Sequence, residues 1–161
     1  MGKIINVNIW EKREEISVVE CIEKKPSKEI INFYRFINAE KKFINKCRYE
    51  NVSCFKDGMA KVKINNLWGV IDNNGKELIP IQYDQIFRLP NKLFQVCTNR
   101  LWGIVDSKHN VIVPIIYDYI FPPSHESIVI KQNDKYGVID MNGNIILKIE
   151  CNTYNNVLKT F

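Results

Sequence analysis

The sequence predicts an all-β protein of tandem 34-residue β-hairpin and strand repeats, arranged as an open twisted array or solenoid, with a propeller-like arrangement as the alternative. Three observations carry this expectation. The pentads Trp68-Gly69-Val70-Ile71-Asp72, Trp102-Gly103-Ile104-Val105-Asp106 and Tyr136-Gly137-Val138-Ile139-Asp140 are evenly spaced along the chain, with no insertion between them. Downstream, Ile79-Pro80-Ile81-Gln82-Tyr83-Asp84 returns one period later as Val113-Pro114-Ile115-Ile116-Tyr117-Asp118. Upstream, Ala60-Lys61-Val62-Lys63-Ile64 corresponds to Phe94-Gln95-Val96-Cys97-Thr98 and to Ile128-Val129-Ile130-Lys131-Gln132. Three registers in agreement leave little room for chance, and a fixed period in this range marks a repeat architecture.

The elements follow in chain order. Lys3 to Ile22 offers two strand-like runs around a charged turn, Glu11 to Glu15, and suits the cap that end units of repeat arrays need. From there to position 54 the chain lacks the Gly and Asp that mark every later turn. Even so, Tyr34 stands one repeat period before Trp68, and Tyr49 one period before Tyr83, as in a degenerate repeat. Residues 27–46 also fit an amphipathic helix, since Ile30, Phe33, Tyr34, Ile37 and Ile44 approximate helical spacing. Repeat-like strands are the favoured reading, because short apolar runs are ambiguous by period alone.

The first full unit then reads strand by strand. Ala60, Val62 and Ile64 alternate with Lys61 and Lys63, the period-2 pattern of a strand with one wet face. Asn65-Asn66 links it to a second strand, Leu67 to Asp72, forming a hairpin. Asp72-Asn73-Asn74-Gly75, recurring as Asp140-Met141-Asn142-Gly143, supplies the positive φ of a tight turn, with aspartates that bond nearby amides. A third strand, Glu77 to Ile79, meets Pro80, which has no amide proton and should end the strand or sit on an edge. A fourth short strand is expected around Tyr83 to Phe87. The Trp-Gly pair joins a large apolar surface to a residue that lets another backbone approach closely. The expected segmentation of this single domain is a cap and degenerate repeat over 1–54, then repeats over 55–88, 89–122 and 123–161.

These residues resemble the bacterial WG-repeat family, whose units carry D-G-x-A-x-V, W-G, I-D, a turn Gly and P-x-Y-D. The first unit matches at Asp57-Gly58-Met59-Ala60-Lys61-Val62, Trp68-Gly69, Ile71-Asp72, Gly75 and Pro80-Ile81-Gln82-Tyr83-Asp84. Tyr136 replaces Trp, His109 replaces the turn Gly, and Lys148 to Asn152 lacks Pro, Tyr and Asp, as in an array that ends there. Trp68, Gly69, Trp102, Gly103, Tyr136 and Gly137 form the structural signature. The resemblance implies a β-repeat scaffold for interaction, with no catalytic motif and no particular ligand.

Candidate chemistry is sparse. The two histidines fall in turns: His109 at the position of Gly75, and His125 beyond Pro122-Pro123-Ser124. Cys21, Cys47, Cys54, Cys97 and Cys151 are odd in number and form no Cys-x-x-Cys pair, as expected of free thiols in a reducing compartment. Cys47, Cys97 and Cys151 align with strand positions of neighbouring units. A calcium loop would need an acidic residue where Val70 and Val138 stand, and no zinc spacing exists. Single glycines within strands match no nucleotide motif. No catalytic, metal or cofactor-binding residue is therefore expected.

What remains is surface. The net charge is +5, with basic residues spread along the chain. Lys61, Lys63, Gln95 and Lys131 share one face of equivalent strands and are the candidate partner-binding residues. A protein partner is favoured over nucleic acid, because most aromatics recur at core-like positions rather than where bases would stack. The expected function is a cytoplasmic, non-catalytic protein-binding module, of inhibitor or immunity type. The alternative is polyanion or nucleic-acid binding through the lysine ladder. Asparagines break the N-terminal apolar run, so no signal peptide or membrane segment is expected. Open sheet ends leave room for dimerisation.

Overall fold

Period-2 alternation punctuated by Asn, Asp and Gly turns folds into fifteen strands among the described residues. The computed structural model describes residues 3–13 and 16–158. The chain divides into two compact units, residues 1–82 and 83–161.

The first unit holds two antiparallel sheets. One has the order β1 (Lys3–Arg13), β2 (Ile16–Lys24), β3 (Ile30–Ile37). The other is the meander β4 (Asn51–Val52), β5 (Met59–Ile64), β6 (Leu67–Asp72), β7 (Glu77–Tyr83). Val52, Ala60, Val62 and Ile71 of the meander share a buried core with Ile16, Val18, Phe36 and Tyr49. The second unit repeats the meander twice. Its sheets are β8 (Gln85–Arg88), β9 (Leu93–Thr98), β10 (Leu101–Asp106), β11 (Val111–Tyr117), then β12 (Tyr119–Ile120), β13 (Ser127–Gln132), β14 (Lys135–Asp140), β15 (Ile145–Cys151). A short helix, α1 (Tyr154–Leu158), follows. Every strand order is linear, so no sheet among the described residues closes on itself. Equivalent strands start at matching repeat positions, Met59, Leu93 and Ser127 for the first long strand of each meander, and the repeat is literal at the level of hydrogen bonding.

Residues 27–46 contain a strand, Ile30–Ile37, as favoured over the helix. The stretch after it runs beside β3: the Ile44 amide donates to the Phe36 carbonyl, and Tyr34 and Tyr49 exchange both backbone bonds at 2.8 and 3.0 Å. Tyr49 thus stands where Tyr83 and Tyr117 end the outer strands of later sheets, and all three are buried. At the N-terminus β1 continues to Arg13, so Glu11 to Arg13 are strand rather than part of the expected turn, and Glu14 and Glu15 lie outside the described residues.

One expectation is corrected in phase. The short strand foreseen at Tyr83 to Phe87 as the fourth of its own unit is split, with Tyr83 ending β7 and Gln85–Arg88 opening the next sheet by pairing with β9. Asp84 sits at the break, its amide bonded to the Cys97 carbonyl. Alternation shows that a segment is a strand but not which neighbour it pairs with.

Acidic side chains hold the turns. Asp72 Oδ1 accepts from the Asn74 and Lys76 amides, Asp106 Oδ1 from Lys108 and Asn110, and Asp140 Oδ1 from Asn142 and Asn144, all at 2.8–2.9 Å. Gly75, His109 and Gly143 occupy the left-handed position of these turns, with φ of 78, 66 and 85°. The hairpins leading into β6, β10 and β14 use two-residue loops with both φ positive: Asn65-Asn66, Asn99-Arg100 and Asn133-Asp134. Each is bound by an acid from the segment ahead of its hairpin. Glu50 accepts from Asn65 and Asn66, Asp84 from Asn99, and Asp118 from Asn133.

Gly69, Gly103 and Gly137 explain the signature. A Cβ on Gly103 would stand 2.7 Å from the Val113 carbonyl oxygen and 2.9 Å from Ile115 Cα, and the other two glycines meet the same crowding from the following strand. The cause is a bulge. Trp102 pairs with Tyr117 and Ile104 with Val113, so two steps along β10 face four along β11. Pro80 and Pro114 lie within such outer strands without ending them, at the edge of each sheet where a missing amide is tolerated.

Stacking within the second unit gives each sheet two unequal faces. Leu93, Ile104, Val113 and Tyr117 of its first sheet pack against Ile120, Ile128, Ile130 and Ile139 of its second. The face carrying the signature Trp102 is thus covered by the opposite face of the next sheet.

Candidate binding groove

Pairing register places the chemistry. Gln85 lies opposite Cys97, and Cys97 opposite Trp102, while Phe87 lies opposite Gln95. Those residues share the signature face of the third sheet. In the fourth sheet the same register aligns Tyr119, Lys131 and Tyr136. Where the rim of one sheet meets β12 of the next, aromatic rings line up without being sealed.

Phe87 stacks on Trp102 at 5.9 Å between centroids and 27° between planes. Trp102 meets Tyr119 edge-on at 6.2 Å, and Tyr119 meets Phe121 at 4.8 Å. Phe121 continues to Tyr136 and stacks on Tyr154 of α1 at 4.6 Å. These spacings are those of favourable aromatic pairs. Phe87 and Tyr119 are nevertheless 48% and 43% exposed, and the other rings are half-buried. A groove of about 390 Å³ opens along Phe87, Trp102, Tyr119, Arg88, Gln85 and Pro122.

The residues of the sequence-derived ladder have different surroundings. Lys61 and Lys63 of the first unit are half-buried, each ammonium lying over the Trp68 ring, at 5.5 and 5.9 Å. Lys131 is paired with Asp134 at 2.8 Å, and that hydrogen bond holds the lysine above, and the aspartate below, its ordinary pKa. Gln95 departs from the expected wet face. It is 7% exposed, and its amide Nε2 donates to the Ile120 carbonyl at 2.9 Å, because the next sheet covers that position. Lys131 stands at the register of Cys97 on the last described sheet and keeps contact with solvent.

Most of the described aromatics are buried or half-buried, as expected, and Phe87 and Tyr119 are exceptions. Half-buried rims and full cores carry the same residue types, so composition could not separate them. Recurrence of Phe87 as Phe121 one repeat period later was the available signal.

The remaining candidates behave as turn or core groups. His109 Nε2 lies 2.6 Å from the Tyr83 hydroxyl, and His125 takes a positive φ of 47° on an exposed loop. Cys21 and Cys97 are buried, and burial pushes both thiols upward, away from the thiolate a nucleophile needs. Cys47, expected in a strand, is instead exposed in the irregular stretch after β3. Among the described residues no cluster of His, Cys, Asp or Glu could hold a metal ion, and no helix is long and apolar enough to cross a membrane.

Comparison with known families gives three tandem matches to a model described as WG containing repeat, at residues 34–68, 68–102 and 102–136. The first begins at Tyr34, within the stretch read from sequence as a degenerate repeat. Neither the curated proteins nor the solved structures contain a match to this chain.

Proposed function

We propose that this chain, which belongs to the WG-containing repeat family, is a non-catalytic protein-binding module that works by surface contact, of the inhibitor or immunity type. The half-exposed aromatic groove of the second unit is the observation that carries the reading. Tyr, Trp and Arg dominate the residues that anchor protein interfaces, and they do so in partly formed pockets that a partner completes. Phe87, Trp102, Tyr119 and Arg88 supply that set on a rigid sheet rim.

Polyanion binding is the weaker alternative. Exposed rings would also suit stacked bases, but residues 83–161 carry eight Lys and Arg against seven Asp and Glu, a net +1. A groove that tracked phosphates would need a strong basic surplus. The proposed setting is the cytoplasm, which five cysteines outside any disulfide suit.

A tagged pull-down from the source organism's lysate, with nuclease treatment and a salt series, tests the proposal when wild type is compared with Phe87→Ser/Tyr119→Ser. The expected result is one stoichiometric protein that survives nuclease and salt with wild type and is lost with the variant. Recovery of nucleic acid alone, released by salt and unaffected by the variant, would overturn it.

A further inference from the structure

The outer strands β7, β11 and β15 are equivalent edges, but they differ at one register position. Pro80 and Pro114 occupy it in the first two, and Lys148 in the third. Proline is tolerated on an edge strand where its missing amide would point away from the sheet. The Lys148 amide therefore points outward, and by strand alternation so do the backbone groups of Glu150. The side chains of Lys148 and Glu150 are exposed, while Leu147, Ile149 and Cys151 turn inward, so the one-in, one-out pattern holds along Leu147–Cys151 despite the bulge toward β14. Two further apolar residues sit on the same strand: Ile145 is 62% and Ile146 48% exposed. What sets this edge apart from its two counterparts is the Lys148 amide, a donor available for pairing where they carry proline.

We propose that β15 pairs antiparallel with β15 of a second copy about a two-fold axis at Ile149. In that register Lys148 of each copy lies opposite Glu150 of the other. The two residues exchange both backbone N–H···O=C bonds, and their side chains form an ion pair that the symmetry repeats. Leu147 then opposes Cys151. The short sequence Leu147-Lys148-Ile149-Glu150-Cys151 is its own complement in charge when reversed, which argues for a second copy over an unrelated strand. This interface is separate from the aromatic groove, so either can hold without the other.

Sedimentation equilibrium over a concentration series tests the pairing. Wild type is expected as a dimer. Lys148→Pro, which restores the residue of the other two edges, is expected as a monomer with unchanged far-UV circular dichroism and a melting temperature that no longer rises with protein concentration. Lys148→Glu and Glu150→Lys each raise the dimer dissociation constant about tenfold, since one reversal sets like charges opposite each other twice. The double reversal Lys148→Glu/Glu150→Lys recovers the wild-type value. A monomeric wild type, a dimer that persists in Lys148→Pro, or a double reversal that fails to recover would each overturn the proposal; the charge series decides the matter even where the proline variant misfolds.

Discussion

Single residues in this chain act mostly on turns. The Asp72, Asp106 and Asp140 carboxylates close their loops by accepting two amides each, and Asp106 and Asp140 also take a side-chain bond from Asn110 and Asn144. Burial alone would raise the Asp106 pKa, but the bonds from Asn110 and Lys108 outweigh it and hold the carboxyl below its ordinary 3.8. A carboxylate depressed on folding contributes stability above its unfolded pKa and loses it as the pH falls through the folded value. The contribution is thus lost in a window below 3.8. Urea denaturation of wild type and Asp106→Asn, well above and well below that pH, should show the wild-type advantage shrinking in acid. An advantage that grew in acid would contradict the assignment. The aspartates were legible as turn formers from Asp-x-Asn-Gly alone. His109 was legible too, because the repeat register put it in the place of a glycine. Its contact with Tyr83 was not, since nothing in the chain order brings two such distant positions together.

At the scale of elements, the Trp-Gly pair is a device for the bulged third strand. Trp or Tyr supplies a half-buried ring, and glycine yields the space that the backbone of β7, β11 or β15 then fills. Gly103→Ala would force that backbone to move, because the approach at 2.7 and 2.9 Å is to main-chain atoms rather than a flexible side-chain tip. Overpacking of this kind costs about 1–3 kcal/mol, and thermal or urea unfolding should register it. A change within experimental error would mean that the bulge is not the reason for the glycine. Strand existence was readable from alternation over Ala60 to Ile64 and its repeats. The phase of the sheets was not, because a segment as short as Gln85–Arg88 carries no mark of which neighbour it pairs with. The short helix α1 was missed altogether, being too brief for a helical period to emerge.

For the molecule as a whole, covering determines which side chains remain available. Period 2 separates two faces of every strand, but stacking decides which of them meets water. Gln95 vanishes beneath the next sheet, its repeat equivalent Val129 is only half-buried, and Phe87 and Tyr119 escape at the rim. The candidate site was therefore legible only in part. The sequence showed repeated aromatics and a repeated polar face, and long-range packing buried Gln95 of that face and left Phe87 and Tyr119 exposed. Partner affinity should accordingly depend on the rim and not on the lysines. Once a partner is captured, isothermal titration calorimetry of that partner against wild type, Phe87→Ser/Tyr119→Ser and Lys61→Glu/Lys63→Glu is the most direct test. A loss of at least about a hundredfold is expected for the aromatic pair, the scale of two anchor residues, with a wild-type constant for the lysine pair. Unchanged affinity in the aromatic pair, with loss in the lysine pair, would contradict a groove-based mode of binding.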